Sequence, residues 1–75
     1  MNYKEEFGKI MREKRKKQDL TQETLSELIG VSTMYCRDLE HGKHNPTWNI
    51  WFKICIVLHI DVSQIVDTYI RACSH

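Results

Sequence analysis

Residues 20–40 read Leu20-Thr21-Gln22-Glu23-Thr24-Leu25-Ser26-Glu27-Leu28-Ile29-Gly30-Val31-Ser32-Thr33-Met34-Tyr35-Cys36-Arg37-Asp38-Leu39-Glu40. The spacing predicts two short helices joined by a tight turn. Thr21 is suited to cap the first, because its hydroxyl can accept a bond from a first-turn amide. Leu25, Leu28 and Ile29 are expected on one helical face. Gly30 follows at once, and glycine reaches left-handed backbone angles without a Cβ penalty, so it can end a helix and turn the chain. Val31 fits the corner as an apolar plug. Ser32 is a second capping residue, and Cys36 and Leu39 give the next helix an apolar side at i and i+3.

Helix, glycine turn and capped second helix make up the helix-turn-helix pattern, in which the second helix enters the DNA major groove. The run Leu20-Thr21-Gln22, Leu25-Ser26, Gly30-Val31-Ser32, Tyr35, Leu39-Glu40-His41-Gly42-Lys43 and Pro46-Thr47 resembles the phage Cro and repressor-type helix-turn-helix family. The flanks share the likeness, with Phe7-Gly8, Met11 and Arg15 before it and Trp51, Ile54-Cys55 and Leu58 after it. It covers residues 7–66 without an obvious gap. A glutamine opening the first helix, Glu-x-Gly after the second and a proline four residues later make it specific. The resemblance implies an all-α, lambda-repressor-like domain. It also implies a sequence-specific DNA-binding transcriptional regulator, a repressor acting as a homodimer on a two-fold operator.

The bulk numbers bound this reading. The chain has 75 residues, 41% of them apolar, which suits one small globular domain across residues 1–75 rather than a disordered tail. No apolar run is long enough to span a bilayer. The charged N-terminus argues against a signal peptide, so a cytoplasmic location is expected and no membrane partner. Cys36, Cys55 and Cys73 are odd in number and widely spaced, which disfavours a disulfide framework. The net charge of +1 is the main bulk argument against nucleic acid, yet it is unevenly laid out. Through Leu20 there are seven Lys or Arg against four acids, with Lys14-Arg15-Lys16-Lys17 as a dense block. That layout fits a basic face on a nearly neutral protein, and it also fits a plain solvated helix.

Five helices are expected, over about residues 2–18, 22–29, 33–40, 48–58 and 63–72. Tyr3, Phe7, Ile10 and Met11 recur at helical spacing in the first, with Asn2 near its start. Gly8 in mid-helix costs roughly 1 kcal/mol relative to alanine, which points to close packing there. Ser26 stands where the resembling family has a small residue at a helix crossing. Pro46 marks a sharp boundary, and Thr47 caps the fourth helix. Trp51, Ile54, Cys55 and Leu58 face one way in that helix, and Trp48 is expected to be partly buried. His59 stands where the family often has glycine, so an imperfect cap is expected. Asp61 or Ser63 starts the last helix, with Ile65, Val66, Tyr69, Ile70 and Cys73 as its apolar set.

The resemblance also assigns roles. Gln22 contacts a DNA phosphate and braces the recognition helix, in keeping with a side-chain amide beside free helix N-terminal amides. Ser32 fixes the start of that helix. Thr33, Met34, Arg37 and Asp38 are expected on its outer face, opposite Cys36 and Leu39. Threonine can bond a base or touch a thymine methyl, methionine offers apolar contact only, arginine suits guanine or phosphate, and aspartate could accept from cytosine N4. Arg37 and Asp38 could equally neutralise each other in solvent. Lys43, His44 and Asn45 are expected to grip the sugar-phosphate backbone. Arg15 and Glu40 are expected to form an ion pair between the first and third helices.

Ile56, Val57, Ile60, Tyr69 and Ile70 are more apolar surface than one small core needs, and are expected to form a dimer interface. His41 and His44 have the spacing of half a metal site, but no cysteine pair or carboxylate cluster completes it, so no metal is expected. No phosphate-binding glycine loop, HExxH or nucleophile elbow is present, so no enzyme, cofactor or small-molecule ligand is expected. The rival reading is a protein-interaction module on the same fold, an antitoxin or adaptor, favoured by the low charge, Met34 and Asp38.

Overall fold

A computed structural model describes residues 3–73 of the chain, without the Cys73 side chain. Asn2 and the Cys73 side chain, both named above, therefore lie outside the described residues. The order is α1 (Tyr3–Lys17), α2 (Gln22–Ile29), α3 (Thr33–Glu40), α4 (Trp48–Leu58) and α5 (Val62–Cys73), with no strand among the described residues.

Each boundary has a local cause. Thr21 accepts from the Thr24 amide and Ser32 from the Tyr35 amide, at 3.0 and 3.1 Å, so α2 and α3 start where their hydroxyl caps stand. Thr47 does the same for α4 through the Ile50 amide at 3.4 Å. Gly30, at φ 76°, ends α2, with its own N–H and that of Val31 donating to the Glu27 and Ser26 carbonyls. This is the paired closing geometry that favours glycine. His59 ends α4 in the same left-handed region, at φ 56°, with Ile60 N–H donating to the Cys55 carbonyl at 2.9 Å. The cap there is complete in hydrogen bonds, but a side chain occupies a position that glycine fills at lower cost. Of the two residues expected to start α5, Asp61 does so, its carboxylate accepting from the Ser63 amide at 3.0 Å. The hydrogen bonds from Ser63 hold that carboxyl below the usual aspartate range.

The core is built from Phe7 and Met11 of α1, Leu25 and Ile29 of α2, Cys36 and Leu39 of α3, and Trp51, Ile54, Cys55 and Leu58 of α4. Ile60 and Ile65 close it from below. Gly8 is buried against α3: a Cβ there would lie 2.7 Å from the Leu39 carbonyl oxygen and closer still to that of Glu40. That approach is tighter than any side chain tolerates, so glycine sets the distance between α1 and α3.

Three expectations are corrected. Leu28 is exposed, because the buried arc of α2 runs through Leu25, Ser26 and Ile29 and leaves Leu28 on its outer flank. In α5 Ile65 is buried with Thr68 and Ala72, while Val66 of the expected apolar set is exposed, as are Tyr69 and Ile70, the two expected at an interface. Thr68 can be buried because its hydroxyl donates to the Gln64 carbonyl at 2.8 Å. Ile60 is 5% exposed and belongs to the core rather than to the open surface expected of it, and Val57 is half-buried against it. The left-handed turn at His59 sends Ile60 back beneath the bundle.

Candidate nucleic-acid interface

The turn between α2 and α3 is held by a small polar joint. Ser26 is buried, and its hydroxyl donates to the Glu23 carbonyl at 2.7 Å and lies 3.3 Å from the Thr33 hydroxyl. Thr33 is therefore half-buried and turned toward α2, not outward as expected. The reason is helical spacing, since residue 33 is three positions from buried Cys36 and shares its side of the helix.

Behind the turn sits a second polar joint. Glu40 is buried, and its carboxylate receives Arg15 Nε at 2.6 Å and Nη2 at 3.2 Å. Arg15 Nη1 donates to the Leu20 carbonyl at 2.8 Å, and Gln22 Nε2 donates to the same Glu40 carboxylate at 3.2 Å. One carboxylate thus ties α1 and the first residue of α2 to the end of α3, and Arg15 holds the loop before α2 to the same joint. The hydrogen bonding that Arg15 donates to Glu40 raises the Arg15 pKa above its ordinary value, against the opposing effect of burial. Gln22 keeps its remaining amide atoms at the N-terminus of α2, where the helix dipole and unpaired N–H groups favour an anion.

Beside this joint lies Cys36. Its thiol pKa is pushed up to about 11, chiefly by burial and then by the Glu40 charge. It is a packing residue and not a nucleophile.

The face of α3 that remains open carries Met34, Arg37 and, just past the helix, His41, spaced i, i+3 and i+7. Met34 is 66% exposed. Arg37 makes no ion pair among the described residues. Asp38 makes a contact that neither expectation for it included. Its carboxylate lies 3.4 Å from His44 Nε2, and the His44 ring stacks on Tyr35 with centroids 4.9 Å apart and planes 17° apart. Lys43 and Asn45 are exposed in the loop, which buried Pro46 anchors. Trp48 is exposed rather than partly buried, its ring tilted against Phe52 one turn along α4 at 5.9 Å. No group of three or more metal-ligating side chains gathers among the described residues.

His41 was legible in principle, because it continues the spacing of Met34 and Arg37. Tyr35 was not: nothing in the sequence marks a ring that will meet a histidine nine residues later.

A helix-turn-helix family profile matches residues 11–65. The ImmF control region 10 kDa protein of Bacillus phage phi105 is 28% identical over 65 residues, covering 87% of this chain and 72% of that protein. Among solved structures, the clp gene regulator ClgR from Corynebacterium glutamicum aligns with a TM-score of 0.80. That alignment covers 88% of this chain and 70% of the other at 24% identity, a likeness of fold.

Proposed function

The chain belongs to the helix-turn-helix family, and we propose that it is a sequence-specific DNA-binding transcriptional regulator, acting as a homodimeric repressor on a two-fold operator. The observation that carries this reading is the open face of α3. It is capped at its start by Ser32, clamped at its end by Arg15 through Glu40, and left with Met34, Arg37 and His41 unburied. A helix held rigidly at both ends with an unused face is what major-groove insertion requires.

In this reading Met34 touches a thymine methyl and Arg37 bonds guanine or phosphate. Gln22, Lys43, His44 and Asn45 hold the backbone and set the register. Thr33, with its hydroxyl next to Ser26, supports the helix start more than it reads a base. Repression follows from occupancy, since a protein seated in two successive major grooves excludes polymerase from the same DNA.

The homodimer is supported by the distribution of apolar surface. Of the nine large apolar side chains exposed among the described residues, seven lie on α4 and α5: Trp48, Phe52, Ile56, Val62, Val66, Tyr69 and Ile70. Trp48, Phe52 and Ile56 form one helical stripe. Phe52, Ile56 and Val62 meet in a groove of about 400 Å³ at the α4–α5 corner. This shifts the weight of the interface from Ile60, which the core takes, and half-buried Val57 to Phe52, Val62 and Val66. It retains Ile56, Tyr69 and Ile70.

Selection of bound DNA from a random pool tests the reading, with a salt titration alongside. An enriched two-fold motif, bound less tightly as salt rises, is expected. Lys43→Ala should weaken binding to all sites alike and make the salt slope shallower by about one phosphate contact. Failure to enrich any motif, with no salt-sensitive binding, would favour the interaction-module reading, for which the apolar tip of α3 at Met34 is the supporting observation.

A further inference from the structure

We propose that Tyr35, Asp38 and His44 form a positioning cluster that holds the α3–α4 loop in its DNA-gripping shape, so that the Asp38 carboxylate favours DNA binding despite its charge. The proposal rests on the DNA-binding reading above and assigns two residues a role that reading leaves open. Tyr35 touches no partner there, and Asp38 stands as a negative charge on a surface meant for phosphate.

The local geometry gives the reason. Tyr35 and Asp38 are one turn apart on α3, so their side chains are neighbours. Both meet His44, one by ring stacking at 4.9 Å and the other through Nε2 at 3.4 Å. Main-chain bonds secure only the first part of the loop. Gly42 N–H donates to the Leu39 carbonyl at 3.1 Å and Lys43 N–H to the Asp38 carbonyl at 2.9 Å. Beyond Lys43, no main-chain hydrogen bond ties residues 44–46 to other described residues. The cluster and buried Pro46 are what order that segment.

An unordered loop must be fixed when DNA binds, and that entropy is subtracted from affinity. A loop already fixed on α3 avoids the loss.

A double-mutant cycle on DNA affinity at constant salt tests the proposal, using DNA selected by the wild-type chain. Asp38→Ala is expected to weaken binding roughly two- to five-fold, the range of a partly exposed ion pair. In a His44→Ala background the same change should have no further effect. Tyr35→Ala should weaken binding, though less than His44→Ala, which also removes a DNA-backbone contact, while Tyr35→Phe, which keeps the stacking ring, should bind like wild type. Melting curves confirm that each variant is folded. NMR of the DNA-free protein should show His44 ring protons shifted upfield by Tyr35, a shift lost in Tyr35→Ala. Tighter binding by Asp38→Ala in both backgrounds would overturn the proposal in favour of simple repulsion. A changed base preference at one position would overturn it in favour of direct reading by Asp38. If the wild-type chain binds no DNA, the regulator reading fails first and this proposal falls with it.

Discussion

The two halves of the bundle are held together by different physics. Helices α1 to α3 converge on a polar joint, where the buried Glu40 carboxylate collects Arg15 and Gln22. Among the described residues, helices α4 and α5 have no comparable joint, and their apolar surface runs past the core onto the outside of the molecule. A charged joint tolerates little change in geometry, because each donor must meet its acceptor. Apolar packing is non-directional and sets position less sharply. The first half therefore suits a surface whose atoms must match DNA, and the second suits a face that a second protomer covers.

Removing the joint is the strongest way to break this contrast. The Glu40 side chain is 1% exposed and that of Arg15 11% exposed. Arg15→Ala leaves a buried carboxylate with Gln22 as its remaining side-chain partner, so it should cost about 3–5 kcal/mol of folding stability, read by urea denaturation. Arg15→Lys should recover only part of the loss, because a single ammonium cannot supply the paired donors or reach the Leu20 carbonyl as well. A wild-type-like unfolding curve for Arg15→Ala would show that the joint does not hold the first half together.

The second half should respond in the opposite manner. Phe52→Ser combined with Ile56→Ser removes apolar surface that lies outside the core. It should weaken self-association by on the order of 3 kcal/mol while leaving the protomer's helicity unchanged. Sedimentation should show a wild-type dimer and a monomeric variant at the same concentration. A wild-type chain that stays monomeric at high micromolar concentration would remove the dimer from the proposed function. It would leave the fold as described.

Gly8→Ala probes the boundary where α1 meets α3. In an isolated helix the substitution is worth roughly 1 kcal/mol of stabilisation. Here the new Cβ meets the Leu39 and Glu40 carbonyls, which are backbone and cannot swing aside. The collision should win, with a net loss of about 1–3 kcal/mol. Because it pushes on the residue carrying the Glu40 carboxylate, it should also add less than its full cost in an Arg15→Ala background.

The same contrast explains what the sequence disclosed. The first half was legible because its signals are categorical: Thr21, Gly30 and Ser32 each specify one backbone role, and the resemblance pairs Arg15 with Glu40. Even there, Thr33 turns toward α2, the side that its spacing three residues before Cys36 implies, rather than outward. In the second half the phase of α4 was clear from Trp51, Ile54, Cys55 and Leu58. Its remaining faces are also apolar, so periodicity does not mark Ile56 as exposed, and Ile60, beyond the end of the helix, is buried by the left-handed turn at His59. In α5 the larger side chains drew the expectation outward. The core instead took Thr68 and Ala72, which are small enough to sit under α1.

The smallest effect compares the two helix ends directly. Gly30 and His59 close α2 and α4 at φ 76° and 56°, with similar main-chain bonds, but only one of them is glycine. A side chain in this region costs about 1–2 kcal/mol. Glycine gives back part of that through the greater freedom of the unfolded chain, roughly 0.5–1 kcal/mol. The two ends should thus move in opposite directions. Gly30→Ala meets no atom within 4 Å, so any loss reports backbone strain alone. It should lower stability by up to about 1 kcal/mol. His59→Gly should raise stability by a few tenths to about 1 kcal/mol on the same balance. Thermal melting of the two variants beside wild type is the measurement. His59 also lines the apolar groove with Phe52, Ile56 and Val62, so its removal carries a second reading. If the imidazole only pays a conformational cost, the glycine variant should be more stable and dimerise as before. If the variant is more stable but monomeric, the ring belongs to the interface, and the strain at the end of α4 is kept because the second protomer needs that side chain.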